Sequence, residues 1–266
     1  MVLIKRNVKL FFRDKTAVFF SLLAVLIIIG LYAVFLGDVM LKDPDMAKLP
    51  NAKMIMYEWL FAGLLTVTSV TASMGAFSIM VEDKSKKIIR DFNCAPISGA
   101  KITFGYIGSA FVVGTLVTTF TLLLAEIFIV MQGGELLSPF NLLKTFLLLL
   151  LSVLASSALV TFLVGIFKTQ SQFSGASTII GTLIGFITGI YLPVGNLPDY
   201  AQVAVKCFPL SHSAALFRGL LMDDSIDNAF AGAGFFVHRF KIVDSTHLST
   251  HDLAAIIKYD TESVGF

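Results

Sequence analysis

Five long runs of apolar residues follow one another along the chain, and short polar segments separate them. A helix needs about 20 apolar residues to cross the hydrocarbon core of a membrane. The runs therefore predict five transmembrane spans, and the chain is expected to fold as an all-α integral membrane protein, a polytopic helical bundle. The predicted spans are Thr16–Gly37, Glu58 or Trp59 to Val81, Ile102–Met131, Leu143–Phe167 and Phe173–Leu192.

The segment before the first span, Leu3–Lys15, alternates basic and apolar residues at helical spacing. Leu3, Val8, Phe11 and Phe12 can share an apolar stripe. This pattern is typical of an interfacial helix that lies on an anionic leaflet. A plain basic flank that orients the first span explains it equally well.

The pattern changes after the fifth span. Gly195–Met222 holds two short semi-apolar pieces, broken by Pro198 and Pro209, which predict short interfacial or re-entrant helices on the outer side. The second is expected to begin near Ser211. We expect a membrane domain over residues 1–232 and a polar tail over 233–266, because charged residues interrupt that tail throughout.

One polar segment, Val81–Lys101, stands between the second and third spans and carries eight charged residues. Charges are costly in hydrocarbon, so the segment must lie in water. Lys and Arg in short loops mark the cytosolic side. They cluster in the N-terminal segment and in Val81–Lys101, which predicts that both are cytosolic and that Gly195 onward lies outside. Tyr57 and Trp59 suit the outer interfacial belt.

Composition supports the membrane class and excludes others. The chain has 266 residues, of which 56% are hydrophobic and 14% charged, against about 25% charged in a soluble protein. A net charge of +2 gives no argument for nucleic acid. Cys94 and Cys207 fall on opposite sides of the predicted membrane and are expected to stay unpaired.

No catalytic set is recognisable in the sequence. His247 and His251 stand four residues apart, a spacing that can share a metal, but no third ligand is spaced to join them, so we expect no metal site. The phosphate-binding pattern GxxxxGK[ST] is absent. Glu126 and Lys144 lie near the outer ends of their spans and read as interfacial anchors; Glu126 as a gate or substrate contact is the alternative.

Small and hydroxyl residues mark two spans. Thr66, Ser69 and Ser73 share one face of the second span by three- and four-residue steps. The fifth span carries a four-residue ladder, and small residues let helix backbones approach closely in lipid. Either internal packing or a subunit contact or pathway wall explains these faces. The ladder consists of Ser177, Gly181, Gly185 and Gly189.

Taken in order, these features resemble the type-2 ATP-binding-cassette (ABC) exporter permeases of bacteria. The N-terminal segment is similar to that family's connecting helix. Val81–Lys101 is similar to its coupling helix, and ends in Ala95-Pro96-Ile97-Ser98, where members carry a Pro-Ile/Val-Ser element. The outer stretch from Leu192-Pro193 to Arg218-Gly219 resembles the Pro-punctuated region after the fifth span. The Lys-rich stretch Ser85–Arg90 departs from the family's Glu-rich loop, and the family's sixth span is not recognisable.

The resemblance implies a permease subunit of an ATP-driven exporter in the bacterial cytoplasmic membrane, with a cytosolic N-terminus. It implies no enzyme activity and no cofactor on this chain, since ATP and Mg²⁺ would bind a separate ABC ATP-binding subunit. Two permease copies, surrounded by membrane lipid, would move an amphipathic or drug-like substrate. A non-transporting assembly, immunity or sensor subunit is the alternative. The residues expected to contact the ATPase are Glu82, Asp83, Lys84, Arg90, Asp91, Pro96 and Ser98.

Overall fold

The computed structural model describes residues 2–31, 52–94, 96–167, 169–191, 198–223 and 225. Within these residues the chain forms helices and no strand, which confirms the all-α fold class. The helices are α1 (Val2–Arg13), α2 (Lys15–Leu31), α3 (Ala52–Ser85), α4 (Ile88–Cys94), α5 (Gly99–Met131), α6 (Pro139–Ile166), α7 (Gln170–Ile187), α8 (Asp199–Lys206) and α9 (Pro209–Leu221).

Three described helices are long and apolar enough to cross a membrane: Lys53–Ser85 within α3, all of α5 and all of α6. They correspond to the predicted second, third and fourth spans. The first predicted span agrees with α2 as far as Leu31, and its remainder lies outside the described residues. The fifth corresponds to α7, whose polar first turns lower its hydropathy.

Two compact units make up the chain. The first consists of Met1–Val25, Val67–Thr121 and Leu149–Ile184, and the second of Leu26–Thr66, Leu122–Leu148 and Gly185–Phe266. In the second unit, the Phe128 ring meets Tyr57 and Phe61 edge to face, with centroids 5.1 and 5.5 Å apart. Tyr57 is therefore a buried core residue, and its prediction as part of an interfacial belt is wrong.

The α7 helix ends at Ile187, five residues before the predicted end of the fifth span at Leu192. Gly189 has a φ of +71°, a left-handed conformation that glycine adopts without steric cost. Its N–H donates to the Phe186 carbonyl at 3.1 Å, and the Ile190 N–H donates to the Gly185 carbonyl at 3.0 Å. This is the Schellman pattern that terminates a helix. The helix therefore ends before Gly189, which was predicted to be the last residue of the four-residue ladder.

The predicted short helices after the fifth span are present as α8 and α9. The second begins at Pro209, two residues before the expected Ser211, because proline is favoured in a helix's first turn. Residues 192–197 and 226–266, which include the predicted polar tail with His247 and His251, lie outside the described residues.

Candidate coupling site

The polar segment Val81–Lys101 is mostly helical. α3 runs on to Ser85, four residues past the predicted end of the second span, and α4 follows after a tight turn at Lys86 and Lys87. Lys87 has a φ of +63°, which breaks the helix because a left-handed residue cannot continue it. The helix therefore continues past Val81, where charged residues begin, so the charge does not end the helix.

Asp83 is the centre of a polar network in the first unit. Its side chain is buried, and the residue is only 3% exposed. Arg6 Nη1 donates to Asp83 Oδ2 at 2.6 Å, and Arg6 Nη2 donates to Oδ1 at 3.0 Å. Tyr106 Oη also donates to Oδ2, at 2.6 Å. A paired, two-pronged arginine contact is strong and fixes orientation, so Asp83 joins α1, α3 and α5.

Asn7 extends this network along α1. Its Nδ2 donates to Ser109 Oγ on α5 at 3.4 Å, and its Oδ1 accepts from Arg6 Nη1 at 2.9 Å. Ser109 Oγ donates in turn to the Tyr106 carbonyl at 2.7 Å. Both Asn7 and Ser109 are buried, and these bonds satisfy polar groups that would otherwise be costly to bury.

Three glycines form the apolar seat on which α1 rests. A methyl group added at Gly105 would lie 2.7 Å from Leu3 Cδ2 and 3.0 Å from Leu3 Cβ. One added at Gly108 would lie 2.8 Å from Ile4 Cδ1, and one at Gly75 would lie 3.2 Å from the Phe11 ring. Missing side chains let helices approach closely. The inner face of α1 therefore fits a groove lined by α3 and α5.

The α4 helix has one partly buried face and one exposed face. Ile88, Ile89 and Phe92 are partly buried, and the Arg6 guanidinium lies 5.5 Å from the centroid of the Phe92 ring. Arg90 and Asp91 are exposed. A helix of seven residues cannot be stable on its own, so α4 depends on this contact and on its neighbours for its position.

Lys84 ties the end of α3 to the end of α6. Its Nζ donates to the Phe167 carbonyl at 2.9 Å, just after the last residue of α6. Carbonyls at a helix C-terminus lack intrahelical partners and carry partial negative charge, so a cation stabilises them.

The predicted ATPase contacts thus divide into two groups. Asp83 and Lys84 bind groups of their own chain. The rest are exposed, namely Glu82, Arg90, Asp91, Pro96 and Ser98. The exposed group forms, with Ile97 at 41% exposure, the surface that we call the coupling surface.

Two cations near this surface have raised pKa values. The hydrogen bond to Asp83 raises the pKa of Arg6 above its ordinary value, against the opposing effect of burial. The hydrogen bond from Lys86 Nζ to Glu82 Oε1, at 2.5 Å, raises the pKa of Lys86. A raised cation pKa means that stability is kept below the unfolded pKa and lost only as pH rises through the folded one. Both cations therefore stay charged at neutral pH.

The predicted hydroxyl face of α3 packs inside the chain. Ser69 Oγ lies 3.2 Å from Ser152 Oγ and 2.9 Å from Ser156 Oγ on α6. Ser73 Oγ lies 3.4 Å from Ser157 Oγ and donates to the Ser69 carbonyl at 2.7 Å. Thr66, in the second unit, donates to the carbonyl of Ala62 on its own helix. For Ser69 and Ser73 this geometry favours helix packing within one subunit over a pathway wall.

The α7 ladder is mixed. Gly185 is filled by the chain itself, because a methyl group there would overlap the Tyr191 ring. Gly181 has no atom within 4 Å of an added methyl group, and Ser177 is partly buried. Only the part of the ladder around Gly181 therefore leaves room for another surface.

Sequence reasoning missed Arg6, Tyr106 and Arg218. Arg6 looked like one basic residue among five. Arg218 Nη2 donates to the Thr188 carbonyl at 2.5 Å, and its guanidinium lies 4.6 Å from the centroid of the Trp59 ring. The helical periodicity of the buried face of α3 predicts a buried Asp83 if it is continued past Val81. Asp83 follows the buried Ala76 by seven residues, and residues seven apart lie on the same face of a helix.

The predicted interfacial anchors differ from each other. Lys144 is exposed, and its Nζ lies 4.2 Å from the centroid of the Phe140 ring. Glu126 is buried, and its Oε2 accepts from the Leu137 N–H at 3.3 Å. It therefore stabilises the α5–α6 turn.

Among the described residues, no cluster of His, Cys, Asp and Glu could hold a metal ion.

The chain is similar to one known family. Residues 48–238 match the family model described as "ABC-2 family transporter protein". No curated protein and no solved structure matches the chain. The matched region contains α3 to α9 and the coupling surface.

Proposed function

Because this chain belongs to the ABC-2 family of transporter proteins, we propose that it is the membrane permease subunit of an ATP-driven exporter. A separate ABC ATP-binding subunit docks on the coupling surface and supplies the energy. The substrate is amphipathic or drug-like, in keeping with spans that are rich in apolar and hydroxyl side chains and poor in charge.

The Asp83 network carries this proposal. A docking site that transmits movement must be held firmly by the spans that it moves, and α4 is held through Arg6 and through the short turn that joins it to α3. Asp83 in turn fixes Arg6 to α3 and α5. Movement of α4 would therefore reach three helices at once.

The exposed charges suit docking to a protein. Both signs occur on the coupling surface, which carries the exposed side chains of Glu82, Asp91 and Arg90. Charged groups at an interface give orientation and partner specificity more than raw affinity. Pro96 and Ile97 add exposed apolar side chains just before the start of α5.

The topology supports a cytosolic location for this surface. Basic residues concentrate in α1 and between Lys84 and Lys101, which is the distribution of the cytosolic side of a membrane protein. Two copies of the permease pair with two ATPase subunits in the bacterial cytoplasmic membrane.

The test is charge reversal on the coupling surface. Arg90→Glu together with Asp91→Lys should abolish co-purification with the cognate ATPase and stimulation of its ATP hydrolysis, while membrane insertion is kept. The matched control reverses an exposed lysine away from this surface, Lys53→Glu, and should leave both unchanged. Full stimulation in the double variant would overturn the docking site.

Cys94 provides an independent readout. It is exposed on α4, and Cys207 is the other cysteine of the chain. In a Cys207→Ser background, alkylation of Cys94 should slow at least tenfold when the ATPase is bound. An unchanged alkylation rate in a purified complex would place the ATPase elsewhere.

A further inference from the structure

We propose that the outer face of α1 is a binding site for anionic phospholipid headgroups, built from Lys5, Lys9 and Arg13. The site holds α1 at the membrane surface by charge rather than by insertion of an apolar face. It acts whether or not an ATPase docks on the coupling surface.

The burial pattern of α1 supplies the first argument. An interfacial helix ordinarily buries its apolar face in the headgroup boundary. Here Leu3, Ile4 and Phe11 lie against Gly105, Gly108 and Gly75 of the same chain. The apolar face is therefore occupied by protein, and the face that remains outward is the basic one.

The three cations stand together on that outward face. Residues four apart on an α-helix differ by about 40° around its axis, so Lys5, Lys9 and Arg13 fall within about 80° of one another. All three are exposed, and no described carboxylate forms an ion pair with them. Arg6, by contrast, is committed to Asp83.

The neighbouring residues select lipid as the occupant. Only Asp14 separates α1 from α2, and α2 carries no charged residue from Ala17 to Leu31 and is apolar there except for Ser21. Asp14 Oδ1 accepts from the Thr16 N–H at 3.1 Å, which starts α2 directly at the end of α1. The cationic face therefore begins where the hydrocarbon span begins, at headgroup depth.

Exposed apolar residues flank the cations. Val2 is 86% exposed, and Leu10 and Phe12 are about 40% exposed. Lys and Arg beside apolar side chains are the mixture that a bilayer surface accommodates, because the cations meet phosphates while the apolar groups meet the acyl boundary. A purely acidic protein surface would leave those apolar groups in water.

The experiment measures lipid preference in the full chain without an ATPase. The protein is reconstituted in phosphatidylcholine vesicles that carry either spin-labelled phosphatidylglycerol or spin-labelled phosphatidylcholine, and the motionally restricted fraction is compared. The wild type should prefer phosphatidylglycerol, and 1 M NaCl should remove the preference because salt at that concentration screens charges beyond about 3 Å.

The variant Lys5→Gln/Lys9→Gln/Arg13→Gln should lose the preference, with single changes each lowering it up to about fivefold. The control variant removes three exposed lysines on other segments: Lys53→Gln/Lys101→Gln/Lys206→Gln. It should keep the wild-type preference.

Three results would overturn the proposal. These are a preference that survives in the α1 triple variant, one that 1 M NaCl does not weaken, and an equal loss in the control. The single variants keep the test decisive if the triple variant inserts poorly. If the α1 triple variant keeps the lipid preference and, in a separate co-purification, no longer binds the ATPase, the cations serve the protein partner instead.

Discussion

Asp83 is the residue on which the arrangement of the candidate coupling site depends most. Asp83→Asn removes the negative charge that holds Arg6 while leaving the side chain almost unchanged in size. Breaking one partner of a buried ion pair costs about 3–5 kcal/mol, and we expect about 2 kcal/mol here because part of the Arg6 side chain reaches solvent. The expected result is faster hydrogen exchange of α1 amides.

The same variant separates docking from transmission. Asp83 is buried, so Asp83→Asn should leave ATPase co-purification intact and reduce stimulated ATP hydrolysis several-fold. Lys86→Gln is the control, because it removes the exposed pair with Glu82, and exposed pairs contribute little. If Asp83→Asn loses docking as completely as charge reversal on the coupling surface, the network is needed for docking itself, and the proposed separation of docking from transmission is contradicted.

A substitution at Gly105 tests the packing of α1 against α5. Gly105→Ala would place a methyl group 3.0 Å from Leu3 Cβ, an atom that cannot move without its backbone. Overpacking costs about 1–3 kcal/mol and exceeds the gain of about 1 kcal/mol from better helix propensity. We expect trypsin to cleave within α1 more readily.

The matched control for the seat is Gly175→Ala in α7, where an added methyl group meets no atom within 4 Å. It should leave cleavage of α1 unchanged. Equal cleavage in Gly105→Ala and wild type would show that α1 does not rest on α5 as described.

At the scale of elements, the turn between α3 and α4 depends on Lys87. A lysine with a positive φ costs about 1 kcal/mol relative to glycine. Lys87→Gly should therefore raise the thermal stability of the purified chain or leave it unchanged. Lys87→Pro cannot adopt that φ and should displace α4, which a changed alkylation rate at Cys94 would report. Identical alkylation rates in both variants would contradict this account.

Spans could be predicted from the sequence because lipid imposes one simple requirement, an unbroken apolar run long enough to cross. Met131 was predicted correctly as the end of α5 since Gly133 and Gly134 follow it. The end of α7 was not, because Ile190 and Tyr191 are apolar and yet belong to a turn closed by Gly189. Hydropathy carries no information about a positive φ.

The position of the polar segment was predictable from the sequence, but the arrangement of its side chains was not. A dense charge cluster locates a polar segment, and the exposed residues Arg90 and Asp91 lie where such a cluster suggests. The pairing of Arg6 with Asp83 depends on a fold that brings together residues 77 positions apart. The local sequence signal for this pairing is the buried stripe of α3, which continues past Val81 to Asp83.

The whole molecule is expected to work as a pair, and Gly181 is where the second copy can be tested. A single chain leaves space beside this glycine, and small residues favour close helix contact in lipid. Gly181→Leu should raise the dissociation constant of the dimer at least tenfold, about 1.4 kcal/mol, as measured by single-molecule photobleaching in vesicles. Gly175→Leu is the control, because Gly175 lies on the same helix and an added methyl group there also meets no atom within 4 Å; it should leave the dimer intact. Because Gly181 lies away from the coupling surface in sequence, the variant should still bind one ATPase per permease while transport is lost. A dimer that persists in Gly181→Leu would move the subunit contact off α7.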